Sequence, residues 1–207
     1  MITKEELVNF ESEIATLFNS AKIRAPIHLY SGNEEQIMQV FKKINIEKDW
    51  VCCTWRNHYQ ALLKGVPQEY LKEKIMQGKS MVMNLPEYKF ICSSIVGGIP
   101  SVATGIALAA KLKGSGERVW CWIGDMSAET GAWSEAYRYA VAQDLPITFV
   151  IEDNELSVMT PTHEAWGVDK WYLPHQNRSW YEGPNLIYYK YKNEKYPHAG
   201  AGVRVQF

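Results

Sequence analysis

Two apolar runs, VWCWI at 119–123 and ITFVI at 147–151, are each followed at once by residues able to meet a metal ion. Gly124 and Asp125 follow the first, and Glu152, Asp153 and Asn154 follow the second. Between them lies a segment with Trp133, Ala136, Tyr137, Ala140 and Val141 at helical spacing. Strand, helix and strand in roughly thirty residues have the size of a parallel βαβ unit, whose crossover is right-handed almost by rule. Both strands then point the same way, and their C-terminal ends share the sheet edge at which open α/β sheets bind ligands. Asp125 and Asn154, 29 positions apart in sequence, become neighbours at that edge. One carboxylate, one amide oxygen and a main-chain carbonyl near Leu156 make a hard oxygen face. Mg²⁺ suits such a face, with phosphate and water completing its octahedron. The competing reading is two strand-end loops in which Asp and Asn simply form turns, and spacing alone leaves both open.

The elements that must position these residues follow from periodicity. Residues 5–20 carry Leu7, Phe10, Ile14, Leu17 and Phe18 on one side, an amphipathic helix. Ser31 and Gly32 can open a second helix with Ile37, Val40, Phe41 and Ile44 as its stripe. WVCCTW at 50–55 reads as extended, and 57–63 and 70–77 as short helices. In the stretch 95–114 the glycines make a loop, Ser101 can cap an Ala- and Leu-rich helix, and Gly114 ends it. Ala103, Ala107 and Ala110 let another backbone approach. The strand at 118–123 lacks alternation, so both faces are expected to be buried. NLIYYKY at 185–191 is a last strand; 159–183 shows no period; the tail from 192 reads as loop. The expected fold class is α/β, a doubly wound, mostly parallel sheet flanked by helices. The expected organisation is one domain over 1–207, with an irregular stretch at 159–183 and a C-terminal strand and tail at 184–207.

The chain has 207 residues and a formal net charge of −1, which gives no reason to expect nucleic acid or a membrane surface as partner. No apolar run approaches a membrane span, and the acidic, amphipathic N-terminus lacks the features of a signal peptide. A cytoplasmic location is the expectation. Cys52, Cys53, Cys92 and Cys121 show no zinc spacing and read as reduced core thiols. Eight tryptophans suggest an apolar surface that meets another chain.

GDMSAET followed by IEDN resembles the thiamine-diphosphate signature, Gly-Asp-Gly and then Asn-Asn about thirty residues on. More closely, the chain is similar to the alpha subunit of the decarboxylating component of 2-oxo acid dehydrogenases. HLYSGNEEQI, TWRNHYQALLKGVP, SIVGGIPSVATGIALAAKLKG and GAWSEAYRYAVAQDLPITFVIEDN match that family's blocks in order, from about 28 to 158. The resemblance implies the thiamine-diphosphate-binding fold and thiamine diphosphate and Mg²⁺ as cofactors. It implies Asp125 and Asn154 as side-chain metal ligands, with Leu156 as a carbonyl ligand. Arg56, with Trp55 beside it, would meet the diphosphate as a fork-shaped donor. The main chain at Ser94, Ile95 and Val96 would touch the aminopyrimidine. Gly124, Met126 and Ser127 would lie along the cofactor with Asp125 and Asn154. His28 would sit near the thiazolium, and His58 by the diphosphate or substrate; both are the expected catalytic groups. Among His163, His175 and His198, the last is the best placed, because the family has histidines on a loop after its last strand.

The sequence departs from the family pattern in three places. Met126 replaces the second Gly of Gly-Asp-Gly; a positive φ there would cost roughly 1–2 kcal/mol. Asp153 replaces the first Asn, as in transketolases, and puts an extra carboxylate beside the diphosphate. The chain is also short. The carboxylate that activates the aminopyrimidine comes, in this family, from another domain or subunit; Glu34, Glu35, Glu129 and Glu135 read more simply as helix charges. The resemblance therefore implies half an active site, completed by a beta-type subunit in an α₂β₂ heterotetramer acting on a small 2-oxo acid. A transketolase-like two-carbon transferase acting on a ketose-type substrate, and a non-catalytic scaffold subunit, are the alternatives.

Overall fold

A computed structural model of the chain describes residues 2–167 and 178–203. In chain order its elements are α1 (Lys4–Asn19), α2 (Glu34–Phe41), β1 (Trp50–Cys53), α3 (His58–Leu63), α4 (Gln68–Met76), β2 (Asn84–Leu85), β3 (Phe90–Cys92), α5 (Gly98–Lys113), β4 (Val119–Gly124), α6 (Asp125–Ala128), α7 (Gly131–Ala142), β5 (Ile147–Asp153), β6 (Leu156–Ser157), β7 (Thr160–Pro161), α8 (Thr162–Trp166), β8 (Trp180–Gly183) and β9 (Leu186–Lys190). These residues group into two compact units, 2–47 with 55–94 and 192–203, and 48–54 with 95–167 and 178–191. The chain passes between them several times, so the units are not successive domains.

The second unit carries the sheet. Its strands run in the order β1-β4-β5-β9-β8. The pairs β1/β4, β4/β5 and β5/β9 are parallel, and β8/β9 is antiparallel. The protein is thus α/β with a mostly parallel sheet, and helices pack on that sheet. Five of the six residues of β4 and all seven of β5 are buried, as expected for strands without alternation. Ala103, Ala107 and Ala110 lie on the buried face of α5 with Ile99, Pro100 and Thr104, and their small side chains let the helix lie close to its neighbours. Thr130 caps α7, its Oγ1 accepting the Trp133 N–H at 3.3 Å, and Tyr137 of that helix packs against Phe149 of β5 with ring centroids 6.0 Å apart.

The first unit is built on α1, whose Thr3 and Glu6 form a reciprocal capping box. Its buried face is Leu7, Phe10, Glu11, Ile14, Ala15 and Phe18, apolar but for one carboxylate. β2 and β3 pair as an antiparallel hairpin. The tail returns along the segment before α2: the Gly200 N–H donates to the Ile27 carbonyl at 2.9 Å, and Gly200 pairs with His28 in a parallel bridge. Gly32 (φ 86°) lies where a Cβ would collide with the Lys192 carbonyl, so only glycine fits there.

Several local expectations change. Ser101 does not cap α5; the helix starts three residues earlier, behind Gly97 at φ 72°, because Pro100 is tolerated in a first turn. α2 is preceded by Asn33 without a side-chain cap, not by Ser31 or Gly32. The stretch 159–183, read as irregular, contains β7, α8 and β8. These are short elements set by pairing with neighbours, which leave no period in the sequence. His175 lies outside the described residues, and His163 is exposed on α8. No helix among the described residues is long and apolar enough to cross a membrane.

Candidate functional site

The rim begins with register. Gly124 of β4 pairs with Glu152 of β5, so the residues that leave the two strands, Asp125 on one and Asp153 and Asn154 on the other, start side by side. Asp125 opens the short helix α6 and is buried. Its carboxylate accepts a hydrogen bond from the Thr162 hydroxyl. Asp153 is buried as well. One of its oxygens accepts the Glu155 N–H at 2.7 Å and the other accepts from the Tyr188 hydroxyl. Asn154 is half-buried, and its amide oxygen receives the Leu156 N–H at 3.3 Å. Leu156 stands opposite Pro161 in the β6/β7 hairpin, and proline has no N–H to give to the Leu156 carbonyl.

The electrostatics of this rim suit a cation. Burial, and then the neighbouring Asp153 charge, push the Asp125 carboxyl up to about 7. The Thr162 hydroxyl and the N–H groups of Asp125 and Met126 act the other way, but all of these are neutral donors. Burial above all, and then Asp153, push the Tyr188 phenol up. A divalent ion would reverse this balance by favouring both carboxylates. The donor set of carboxylate, amide oxygen and main-chain carbonyl fits Mg²⁺ by hardness and by number. Among the described residues no three His, Cys, Asp or Glu side chains converge as a metal cage; a magnesium ion completed by phosphate and water needs no such trio.

The cost that a positive φ would bring at Met126 does not arise. Met126 is not among the residues with positive φ, because the chain turns into α6 at this point. The left-handed residues lie further on, at Glu155 (φ 60°) and Val158 (φ 61°). Gly124 is extended, at φ −78° and ψ 163°, and Ser127 is buried. Ser94, Ile95 and Val96 sit on the loop before α5, with Ile95 and Val96 exposing 69% and 53% of their surface. Such an apolar, accessible loop is suited to a flat ring.

In the first unit a second cluster forms around His28. Its ring lies 4.9 Å from that of His198, edge to face, and 5.9 Å from that of Trp55. The Arg56 Nε donates to the Leu29 carbonyl at 3.1 Å and its Nη2 reaches the His198 carbonyl at 3.4 Å. The guanidinium carbon stands 5.8 Å from the Tyr30 ring centre. His28 is 8% exposed, and its Nδ1 is a buried atom with no hydrogen-bond partner. Burial first, and then the charges of Arg56, His198 and His58, lower the His28 imidazole to about 3. It is therefore a neutral ring at ordinary pH. His198 moves in the same direction, through burial and Arg56. The sequence order of the blocks located His28, Trp55 and Arg56; the tail brings His198 to them.

His58, expected as a catalytic group, has no exposed surface. Its Nδ1 meets Glu11 Oε2 at 2.9 Å and its Nε2 meets Ser80 Oγ at 2.8 Å. Both ring nitrogens are thus engaged by side chains in the interior. The Asn57 amide donates to the carbonyls of Trp55 at 3.0 Å and Ser80 at 2.9 Å, tying the segment 55–58 to the same interior. Glu11 was missed, although its position on the stripe of Leu7, Phe10 and Ile14 was a signal: a carboxylate there must find a buried partner. Thr162 and Tyr188 were missed too, since their partners are distant in sequence.

Fold and rim together define a class: an α/β protein with acidic and amide side chains at the ends of two adjacent parallel strands. The profile of the family described as "Dehydrogenase E1 component" matches residues 3–173, and the chain belongs to that family. It is 34% identical, over 76% of its own length and 50% of the relative's, to a protein named pyruvate dehydrogenase E1 component subunit alpha from Porphyra purpurea. It is 29% identical, over 74% and 50%, to one of the same name from Rickettsia prowazekii. It is 28% identical, over 79% and 52%, to the alpha subunit of acetoin:2,6-dichlorophenolindophenol oxidoreductase from Cupriavidus necator. The chain spans about half the length of these curated relatives.

Proposed function

We propose that the chain is the diphosphate-binding, alpha-type part of a thiamine-diphosphate- and Mg²⁺-dependent enzyme that decarboxylates a 2-oxo acid and passes on the acyl unit, together with a beta-type subunit. The observation that carries the reading is the parallel register of β4 and β5. It starts Asp125 and Asn154 from one edge of the sheet, in a chain whose relatives carry the names of alpha subunits of a pyruvate dehydrogenase E1 component and of an acetoin oxidoreductase.

Thiamine diphosphate, when bound, supplies a nucleophilic carbon and a place for electrons when a bond beside a carbonyl breaks. The protein's task is to hold it and keep water away. Asp125 would offer its carboxylate to Mg²⁺, with the Thr162 hydroxyl fixing one of its oxygens. Asn154 offers its amide oxygen and Leu156 its carbonyl. The roles of Arg56 toward the diphosphate, of Ser94, Ile95 and Val96 toward the aminopyrimidine, and of His28 toward the reacting carbon follow from the resemblance. As a neutral imidazole, His28 is able to donate a hydrogen bond without adding positive charge. The activating carboxylate is assigned to the beta-type subunit.

Calorimetry tests the reading. Thiamine diphosphate should bind to the purified protein only when Mg²⁺ is present, and Asp125→Ala should abolish that binding. Tight binding by the Ala variant, or binding indifferent to Mg²⁺, would refute it. Purified chain that turns over 2-oxo acids without any partner would refute the division of labour between subunits.

A further inference from the structure

We propose that Asp153 makes the metal site load first: the protein takes up its divalent cation before the diphosphate arrives. The proposal rests on the function proposed above, and concerns the one rim residue that departs from the Asn-Asn pattern. A rim with one carboxylate holds a divalent ion weakly until phosphate oxygens complete it, since ligand charge sets much of the affinity for hard cations. This rim has two carboxylates, Asp125 and Asp153, both buried and one step beyond the paired residues Gly124 and Glu152.

Asp153 is fixed as an outer carboxylate. One oxygen is occupied by the Glu155 N–H at 2.7 Å and the other by the Tyr188 hydroxyl, and its main-chain carbonyl accepts the Tyr191 N–H at 2.9 Å. Both donors to its side chain are uncharged: one is a main-chain N–H and the other a phenol hydroxyl. Lys190, its register partner on β9, directs its ammonium to Glu155 at 2.6 Å. The same loop carries Asn154 and Leu156, so the Glu155 N–H bond also fixes the turn that presents them. Asp153 is a positioning and charge-supplying residue: it raises the affinity of the empty rim for a cation and repels a diphosphate that arrives without one. Outer residues of this kind alter metal affinity by about 10–100-fold.

The test is titration of the purified protein with Mg²⁺, and in parallel with Mn²⁺ followed by electron paramagnetic resonance, with and without thiamine diphosphate. It is run on the natural protein and on the nearly isosteric Asp153→Asn, with matched thermal midpoints confirming that the variant folds. The expected result is Mg²⁺ binding by the natural protein without thiamine diphosphate, about 10–100-fold weaker in the variant, with the difference narrowing once thiamine diphosphate is present. Equal Mg²⁺ affinity of the two proteins without thiamine diphosphate, with normal binding in its presence, overturns this inference and leaves the proposed function intact. No Mg²⁺ binding by either protein, with or without thiamine diphosphate, overturns both.

Discussion

Replacing Glu11 probes how the interior holds the segment 55–58. Glu11 is 1% exposed and serves two donors. Its Oε1 accepts the Tyr30 N–H at 3.0 Å, and its Oε2 meets His58 Nδ1 at 2.9 Å. Glu11→Ala leaves both donors without their acceptor. A buried donor left unsatisfied costs about 1–3 kcal/mol, so the pair amounts to about 2–6 kcal/mol. Glu11→Gln keeps one acceptor oxygen but turns an NH₂ toward the other donor, and should lose about half as much. For a chain of this length each kcal/mol lowers the thermal midpoint by about 2–4 °C, so the Ala variant should melt roughly 4–24 °C below the natural protein. Urea unfolding measures the free energies directly. Glu35→Ala is the control: its partner is Lys4, the two side chains are 77% and 52% exposed, and the midpoint should not move. A Glu11→Ala variant as stable as the control would show that the Glu11–His58–Ser80 chain does not hold the interior.

Two further outcomes follow from the geometry. His28, lowered to about 3 by burial first and by neighbouring positive charge, binds fewer protons folded than unfolded below pH about 6.5. Its contribution to stability is complete above that pH and is lost as pH falls from about 6.5 toward 3, at up to about 1.4 kcal/mol per unit; urea titrations at pH 7 and pH 5 should show His28→Gln flattening that slope, and an unchanged slope would contradict the assignment. Val158, β-branched at φ 61° and 55% exposed, occupies a conformation that costs an L-residue about 1–2 kcal/mol, so Val158→Gly should raise stability by about 0.5–1 kcal/mol after the entropic cost of glycine, and a destabilised variant would contradict that.

What the sequence disclosed is what periodicity and chain-local chemistry encode. β4 and β5 were legible because VWCWI and ITFVI are uninterrupted apolar runs, and α7 because Trp133, Ala136 and Ala140 repeat on one face. Their adjacency is what brings Asp125 and Asn154 to one edge of the sheet. What escaped is encoded in partners remote along the chain. Thr162 reaches Asp125 from α8 and Tyr188 reaches Asp153 from β9, and neither contact leaves a local trace. β6, β7 and β8 are too short to show a period. His58 carried the right motif, but its burial between Glu11 and Ser80 depends on α1, some fifty residues upstream. Met126 looked costly only on the assumption of a left-handed backbone, which the turn into α6 avoids.

The central claim is that the ends of β4 and β5 hold one divalent ion against a diphosphate. Anomalous diffraction from crystals grown with Mn²⁺ and thiamine diphosphate tests it most directly. The account predicts a single strong peak about 2.0–2.3 Å, the span of hard-cation distances, from an Asp125 carboxylate oxygen and the Asn154 amide oxygen, with phosphate oxygens on its other side. Ordered thiamine diphosphate with no peak at these two residues, or with the metal held elsewhere, would contradict it.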